Sequence, residues 1–568
     1  MSYVITQHCC SDALCVSVCP VNCIHPTPDE PGFATADMLY IDAQTCIDCG
    51  ACADACPVDA IRADTMLEPR DLPFVELNAA FYRENPTPPA LPVTPRYVDT
   101  PTSPGAIRVA VVGGGAAGLY AVRELLTHPG TEVELFDSVS ASGGLVRYGV
   151  APDHIDTKKV IEQFHFPPRK AARFHMHLGV EVGVHISHDE LMAFHHAVIY
   201  CNGAAAAPLL DVPGAQLRGN YSGLEFAGWY NGHPDQASLQ VDLSGERAIV
   251  IGNGNVALDV ARILCLPPDA LAGTDISDRA VDGLAASAIR EVHVLGRRGP
   301  ADAAFTVPEL LGLSALPGIN VTLDATPQAL QSVSDPLRSA LESMSGPKDP
   351  TYPMVLLRFG AQVDRIEGTS HVESVSVRMR WPDGTDLLEE LAASVVVHSI
   401  GVRSTPIPGV PFDATTATIP NQDGRVSPDG AVEPGVYVAG WSKRGPVGVI
   451  GTNRRCAQET VAKVIEDVAS GRLDRAVGDR SELEALVQTR CPDVVDARGW
   501  ARIDGAERKN GADAGRPRIK FVTRPDLVTA AQPSREGWGR LVGGGRWGSA
   551  ESSTQAESAE ADESLDAS

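Results

Sequence analysis

Two stretches of the chain share one hydrophobic pattern. Ile107-Arg-Val-Ala-Val-Val112 is a nearly unbroken apolar run, followed by glycines and by apolar positions at helical spacing over Leu119–Leu126. An apolar run bounded by glycine predicts a strand buried on both faces, and the spacing after it predicts a helix. The same order returns at Ala248-Ile-Val-Ile251, which leads into Gly252. Strand, glycine turn and helix, twice over, predict two nucleotide-binding domains with parallel sheets. A short helix is expected around Leu77–Arg83. Leu266–Asp282 has little periodicity and reads as an insertion or long loop, and the stretch after Leu473 reads as a C-terminal extension.

Polar punctuation marks the joints. Seven prolines between Pro86 and Pro104 predict an extended, semi-rigid spacer. Ser549–Ser568 holds six acidic residues and no Lys or Arg, which predicts a disordered, solvated tail. With 568 residues the chain is too long for one core and suggests three or four domains. Its net charge of −25 argues against a nucleic-acid partner. No apolar run approaches the ~18 residues of a membrane span. Met1–Gln7 lacks a basic region followed by an apolar one, so a signal peptide is not expected and a cytoplasmic location is the default.

Cysteine usage changes the picture most. Of 13 cysteines, nine fall within the first 56 residues. Tight spacing in a chain with no export signal points to metal rather than disulfides. Cys46-x2-Cys49-x2-Cys52-x3-Cys56-Pro57 wraps three thiolates around one cubane cluster and turns the fourth toward another. The partner run is Cys15-x3-Cys19-Pro20, with Cys9 and Cys10 upstream. By this crossed logic Cys19 joins Cys46, Cys49 and Cys52, while Cys56 joins Cys9 and Cys15. Cys23 is expected near a cluster without ligating it. Zinc prefers paired C-x2-C clips and fits the run poorly.

The two glycine loops carry the remaining chemistry. Gly113-Gly-Gly115-Ala116-Ala-Gly118 lets a backbone approach a pyrophosphate at a helix N-terminus, and Asp137, ending the strand Val133–Asp137, stands where a ribose hydroxyl is bound. This loop is assigned to FAD. Gly252-Asn253-Gly254-Asn255-Val256-Ala257 is the second loop, with alanine as its third small residue. The following strand, Glu291–Gly296, ends in Arg297 and Arg298 where an NAD site would carry an acid. Paired guanidinium groups suit the 2′-phosphate of NADPH.

Residues 1–65 resemble the seven-iron bacterial ferredoxins, through Tyr3-Val-Ile-Thr, Cys19-Pro-Val21, Met38-Leu-Tyr-Ile and Cys46-Ile-Asp-Cys-Gly-Ala-Cys52. That family holds one 4Fe-4S and one 3Fe-4S cluster. Here two residues are missing before Cys15, which leaves Cys9 and Cys10 adjacent; Cys9 is the preferred ligand, and the first cluster can be 3Fe-4S or 4Fe-4S. From Ile107 to about Asp467 the chain resembles the adrenodoxin-reductase-like ferredoxin–NADP reductases, through Gly143–His154, Gly252–Asp259, Gly296–Gly299 and Ala439–Asn453.

That resemblance implies an α/β reductase with two Rossmann-like domains, the FAD domain interrupted by the NADP domain, behind a small α+β ferredoxin-like module. The expected division is 1–65 iron–sulfur module, 66–106 linker, 107–207 and 401–472 FAD domain, 208–400 NADP domain, 473–548 extension and 549–568 tail. Leu145, Val182, Trp441, Gly448, Val449 and Ile450 would line the flavin, Glu309 and Gly448 would reach the nucleotide, and His154 would tune the flavin beside the incoming ferredoxin. The family often carries a second glutamate, with a proposed proton-handling role, three residues after Glu309; here Gly312 stands there. The implied activity is hydride transfer from NADPH to FAD, then single electrons to iron–sulfur clusters of the fused or a separate ferredoxin and on to downstream acceptors. The alternative is an NADPH electron-input protein like the small subunit of glutamate synthase.

Overall fold

The computed structural model describes residues 2–86, 107–325, 327–344, 346, 348–380 and 386–533. The chain divides into a compact unit, Met1–Ala531, and a C-terminal stretch from Gln532. Most of the proline-rich spacer and all of the acidic tail lie outside the described residues. Among the described residues, no helix is long and apolar enough to cross a membrane.

The predicted strand Ile107–Val112 lies near the centre of a seven-stranded sheet. It pairs in parallel with Thr131–Asp137 on one side and Ala197–Tyr200 on the other. Alternate side chains feed two cores, as the period of a strand requires. Val109 and Val111 pack with Leu119, Val122 and Leu125 of the helix Ala116–Leu125 and with Val461 and Ile465 of Thr452–Ala469. Ala110 and Val112 face the other way, onto Leu483 and Val487 of the extension. Each fully buried Val or Leu contributes ~1.5–3 kcal/mol, so both faces must be covered. The chain leaves this sheet after Tyr200 and returns at Asn421–Gln422 and Arg425–Val426, and then at Val436–Val438, which pairs in parallel with Ala197–Tyr200.

Between these points lies a second sheet of six parallel strands, with Arg247–Ile251 and Glu291–Gly296 adjacent. Ala248 and Val250 face the helical side. Ile249 and Ile251 face a three-stranded antiparallel sheet, Ala361–Glu367, Ser374–Arg380 and Asp386–Ala392, through Val363 and Val377. Leu266–Asp282 is not a loop. It holds the helix Pro268–Ala272 and the start of Asp278–Ala285, with Leu271, Ala280 and Leu284 buried. Pro268–Ala272 is too short for hydrophobic periodicity to show and is announced by Pro268 at N1; Asp278–Ala285 buries Ala280 and Leu284, one turn apart, behind the Ser277 cap.

The extension forms helices Arg480–Arg490, Ala497–Asp513 and Arg524–Ala531. Its fully buried Glu507 accepts from Arg147 Nη2 at 2.5 Å and from Phe521 N–H at 2.9 Å. Lys520, also buried, sits 2.8 Å from Asp275, which Lys158 approaches at 2.6 Å. The extension thus grips both nucleotide-binding regions.

The cysteine-rich module pairs Tyr3–Ile5 with Ile61–Ala63, and Ile24–His25 with Tyr40–Ile41, all antiparallel. The helix expected near Leu77 runs from Pro73 to Glu84, begun by a proline at N1. Phe74 and Leu77 lie in the module's core, and Asn78 accepts from Ile41 N–H and donates to the Ile5 carbonyl. Residues 73–84 therefore belong physically with the module rather than with the spacer.

Candidate functional site

The folded module sorts its thiols into two groups. Cys9, Cys10, Cys15 and Cys56 line one small cavity with Asp12 and Val58. Cys19 and Cys46 lie beside Cys52, and Cys23 Sγ stands 3.5 Å from Cys19 Sγ. Left-handed backbone at Ser11, Ala13, Asn22, Asp48 and Asp59 bends the loops around these groups. Amides then point at sulfur: Cys23 N–H to Cys19, Asp48 N–H to Cys46, Ala60 N–H to Cys56. Burial pushes the Cys9 thiol up to about 11. A thiolate held there needs a compensating cation, which iron supplies. Donor set, amide dipoles and crossed grouping fit iron–sulfur clusters. The first group faces the reductase, while Cys49 of the second is exposed.

In the first glycine loop, Gly113 takes φ +108°, and a Cβ there would collide with the Cys201 carbonyl. A Cβ on Gly118 would collide with the Gly113 carbonyl, whereas one on Gly115, beside Ala116, would meet open space. The helix Ala116–Leu125 starts there with free amides, so an anionic group suits the space. Asp137 Oδ2 accepts from Gly114 N–H at 2.6 Å and Oδ1 from Val139 N–H at 2.8 Å. Asp137 thus holds the loop itself as well as ending the strand. Leu145 is partly exposed on Gly144–Tyr148, and Val182 is buried against the sheet's second face. Trp441 opens a short helix; its indole Nε1 is buried, and among the described residues nothing accepts from it. A cofactor heteroatom would satisfy that donor. Val449 N–H donates to Thr452 Oγ1, Gly448 takes φ +85°, and Ile450 packs on the core.

The second loop is built alike. A Cβ on Gly252 would collide with the Ser399 carbonyl, Asn253 fills the space above Gly296, and Gly254 precedes the helix Asn255–Cys265. Asn255 Oδ1 accepts from Thr306 N–H at 2.8 Å, and Val256 is exposed. Arg297 and Arg298 are exposed at the strand end, with Arg298 3.5 Å from Asp302.

Where the parts meet, His154, Asp259 and Glu309 bring ligand atoms within 4.8 Å of one another. Glu309 Oε2 lies 4.0 Å from His154 Nε2 and 3.9 Å from Arg262 Nη1, and it accepts from Gln7 Nε2 at 3.0 Å. Burial raises its carboxyl above the ordinary range. His8 stands edge-on to His154, with ring centres 6.2 Å apart. Beside this cleft Gly451 N–H donates to the Cys10 carbonyl at 2.7 Å, and Arg454 Nη1 to the Asp12 carbonyl at 2.7 Å. The cysteine module therefore sits directly on the loop that carries Gly448–Ile450.

Residues 107–441 match the family model described as pyridine nucleotide-disulphide oxidoreductase, and residues 39–62 match the 4Fe-4S binding domain. A probable ferredoxin/ferredoxin–NADP reductase of Mycobacterium leprae (strain TN) is 48% identical over 551 residues, covering 94% of this chain and 98% of that protein. The chain belongs to the ferredoxin/ferredoxin–NADP reductase family. Its reductase part is 38% identical over 454 residues to the NADPH-ferredoxin reductase FprA of Mycobacterium tuberculosis (strain ATCC 25618 / H37Rv), covering 74% of this chain and 98% of that one. The structure of Mycobacterium tuberculosis FprA in complex with NADPH superposes with a TM-score of 0.69 at 36% identity, over 76% of this chain and 100% of that chain. The family is one of FAD-dependent oxidoreductases, here with an N-terminal iron–sulfur domain.

Several site residues escaped the sequence reading of this family member. Gln7, His8 and Arg262 lie outside any motif of fixed spacing, and Asp153 lies within Gly143–His154 with no role assigned to it by that motif; their roles come from surfaces brought together by folding. The glycine at 312 was a visible departure, but its neighbour Gln7 is 305 residues away in the chain.

Proposed function

We propose that this chain passes electrons from NADPH, through FAD, to its own iron–sulfur module and from there to an external one-electron acceptor. The Gly451–Cys10 hydrogen bond is the main support, because it seats the first cysteine group on the flavin loop. FAD, when bound, supplies the exchange between two-electron hydride chemistry and single-electron chemistry. The chain's residues orient and tune. Gly113, Gly115, Ala116 and Gly118 would cradle the FAD pyrophosphate and Asp137 its ribose; Leu145, Val182, Trp441 and Gly448–Ile450 would surround the ring. Gly252, Asn253, Gly254, Asn255 and Val256, with Gly448, would hold NADPH, Glu309 would meet its nicotinamide end, and Arg297 and Arg298 its 2′-phosphate. His154 would hold a polar contact beside the flavin.

Cys19, Cys46, Cys49 and Cys52 would ligate a 4Fe-4S cluster. Cys9, Cys15 and Cys56 would ligate a second, of the 3Fe-4S type on the grounds of three thiols, with Cys10 as the route to a 4Fe-4S alternative. Clustered thiols kept for iron rather than disulfides support a cytoplasmic setting. Family membership favours this reading over a glutamate-synthase-like input subunit. Anaerobic EPR tests it: NADPH alone should reduce at least one cluster in the absence of any partner. Clusters that stay oxidised while the flavin is reduced would overturn it.

A further inference from the structure

The helix Val307–Ser314 faces two ways. Glu309 belongs to the cleft with His154. Val307 and Leu311 instead pack against the core of the cysteine module, and Val307 N–H donates to the Asp37 carboxylate of that module. Between them lies Gly312, directly beneath Gln7: a Cβ on Gly312 would overlap Gln7 Oε1, Nε2 and Cδ.

Backbone conformation does not explain this glycine. Gly312 is absent from the left-handed positions among the described residues and lies within a regular helix. There glycine costs ~1 kcal/mol relative to alanine. What requires it is close approach, because the volume of a side chain at 312 is already taken by Gln7. Gln7 in turn uses that position to donate to Glu309.

The surrounding contact has complementary charge. The reductase offers Lys159, Arg454 and Arg455; the module offers Asp59 at 2.7 Å from Lys159, the Asp12 carbonyl to Arg454, and Asp29 at 3.0 Å from Arg455. Charge of this kind attracts any acidic carrier and discriminates weakly. Steric complementarity at one half-buried, closely packed point discriminates well, because a side chain there rejects the wrong partner.

We propose that Gly312 is the specificity determinant by which this reductase recognises its own iron–sulfur module: an empty socket that receives Gln7 and couples the seated module to Glu309. The proposal rests on the reading that this module takes electrons from the flavin. The site's occupant is the tethered module itself, and a ferredoxin with a bulkier residue at the position of Gln7 is excluded.

The test uses the full-length, cofactor-loaded chain and two readouts. Deuterium exchange at the Gly451 amide, which donates to the Cys10 carbonyl, reports seating, and rapid mixing with NADPH reports flavin and cluster reduction separately. Gly312→Gln should fill the socket, raise exchange at Gly451 by about tenfold or more and slow cluster reduction comparably, with flavin reduction by NADPH within about twofold. Gln7→Ala, which removes the plug without crowding, should raise exchange by a smaller factor. The swap Gln7→Gly with Gly312→Gln should restore both seating and cluster reduction. Wild-type exchange in Gly312→Gln, or a swap no better than the single variant, would overturn the proposal. Because exchange is independent of turnover, clusters that never accept electrons in the wild type would instead refute the functional reading and leave the socket standing.

Discussion

Arg262 Nε lies 2.7 Å from Asp153 Oδ2 and so ties the helix Asn255–Cys265 to the segment that carries His154. Burial alone would raise the Asp153 carboxyl; the Arg262 guanidinium overcomes this and holds it down to about 2. The ordinary value is ~3.9, so the folded state gains from the ionised form. That gain is complete above about pH 4 and fades as pH falls toward 2. Asp153→Asn should lower stability at neutral pH by ~2–3 kcal/mol, and the gap to wild type should close in acid. Paired urea titrations at several pH values measure it. A gap independent of pH would show that charge is not the cause.

Gly118→Ala should cost the protein its flavin. The added methyl would collide with the Gly113 carbonyl, so the loop must open. FAD retention after gel filtration should fall by more than about tenfold, equivalent to ~1.4 kcal/mol or more. Gly115→Ala separates two causes, because a Cβ there meets no protein atom. If it also loses FAD, the open space is ligand space.

Coenzyme choice should follow the exposed pair Arg297 and Arg298. Removing a charge-assisted contact to the 2′-phosphate should cost ~1.5–3 kcal/mol, about 10- to 150-fold, mainly in the KM for NADPH. NADH kinetics should change little. Steady-state ferricyanide reduction with both nucleotides decides the matter, and an unchanged preference in the double alanine variant would make the arginines bystanders.

Cys49→Ser should remove one cluster's EPR signal and leave FAD content and NADPH–ferricyanide activity close to wild type. Among the described residues Cys49 is the exposed thiol of the module. Loss of flavin along with the signal would show that the two parts do not fold independently.

What was legible in the sequence is what local spacing encodes. The strands at Ile107 and Ala248, both glycine loops and the cysteine runs announce themselves because each motif closes over a few residues. The helix Pro268–Ala272 was hidden by its shortness, and Asp278–Ala285 by a pattern that spans only one full turn of buried positions, Ala280 and Leu284. Gln7–Glu309, Asp153–Arg262 and Arg147–Glu507 were hidden for another reason: each joins segments separated by at least a hundred residues, and only packing makes them neighbours. A departure such as Gly312 marks a place where a distant residue has claimed the volume, but names no claimant.

The seat on Gly451 and Arg454 also sets an order of biogenesis. Asp12 and Arg454 are 442 residues apart, so at ~5–20 residues per second the module leaves the ribosome roughly 20–90 s before its own seat exists. During that interval Cys9, Cys10 and Cys56 are uncovered by the reductase. On the proposed reading, iron delivery to the inner cysteine group has its natural window during translation, before Gly451 and Arg454 close over the Cys10–Asp12 loop.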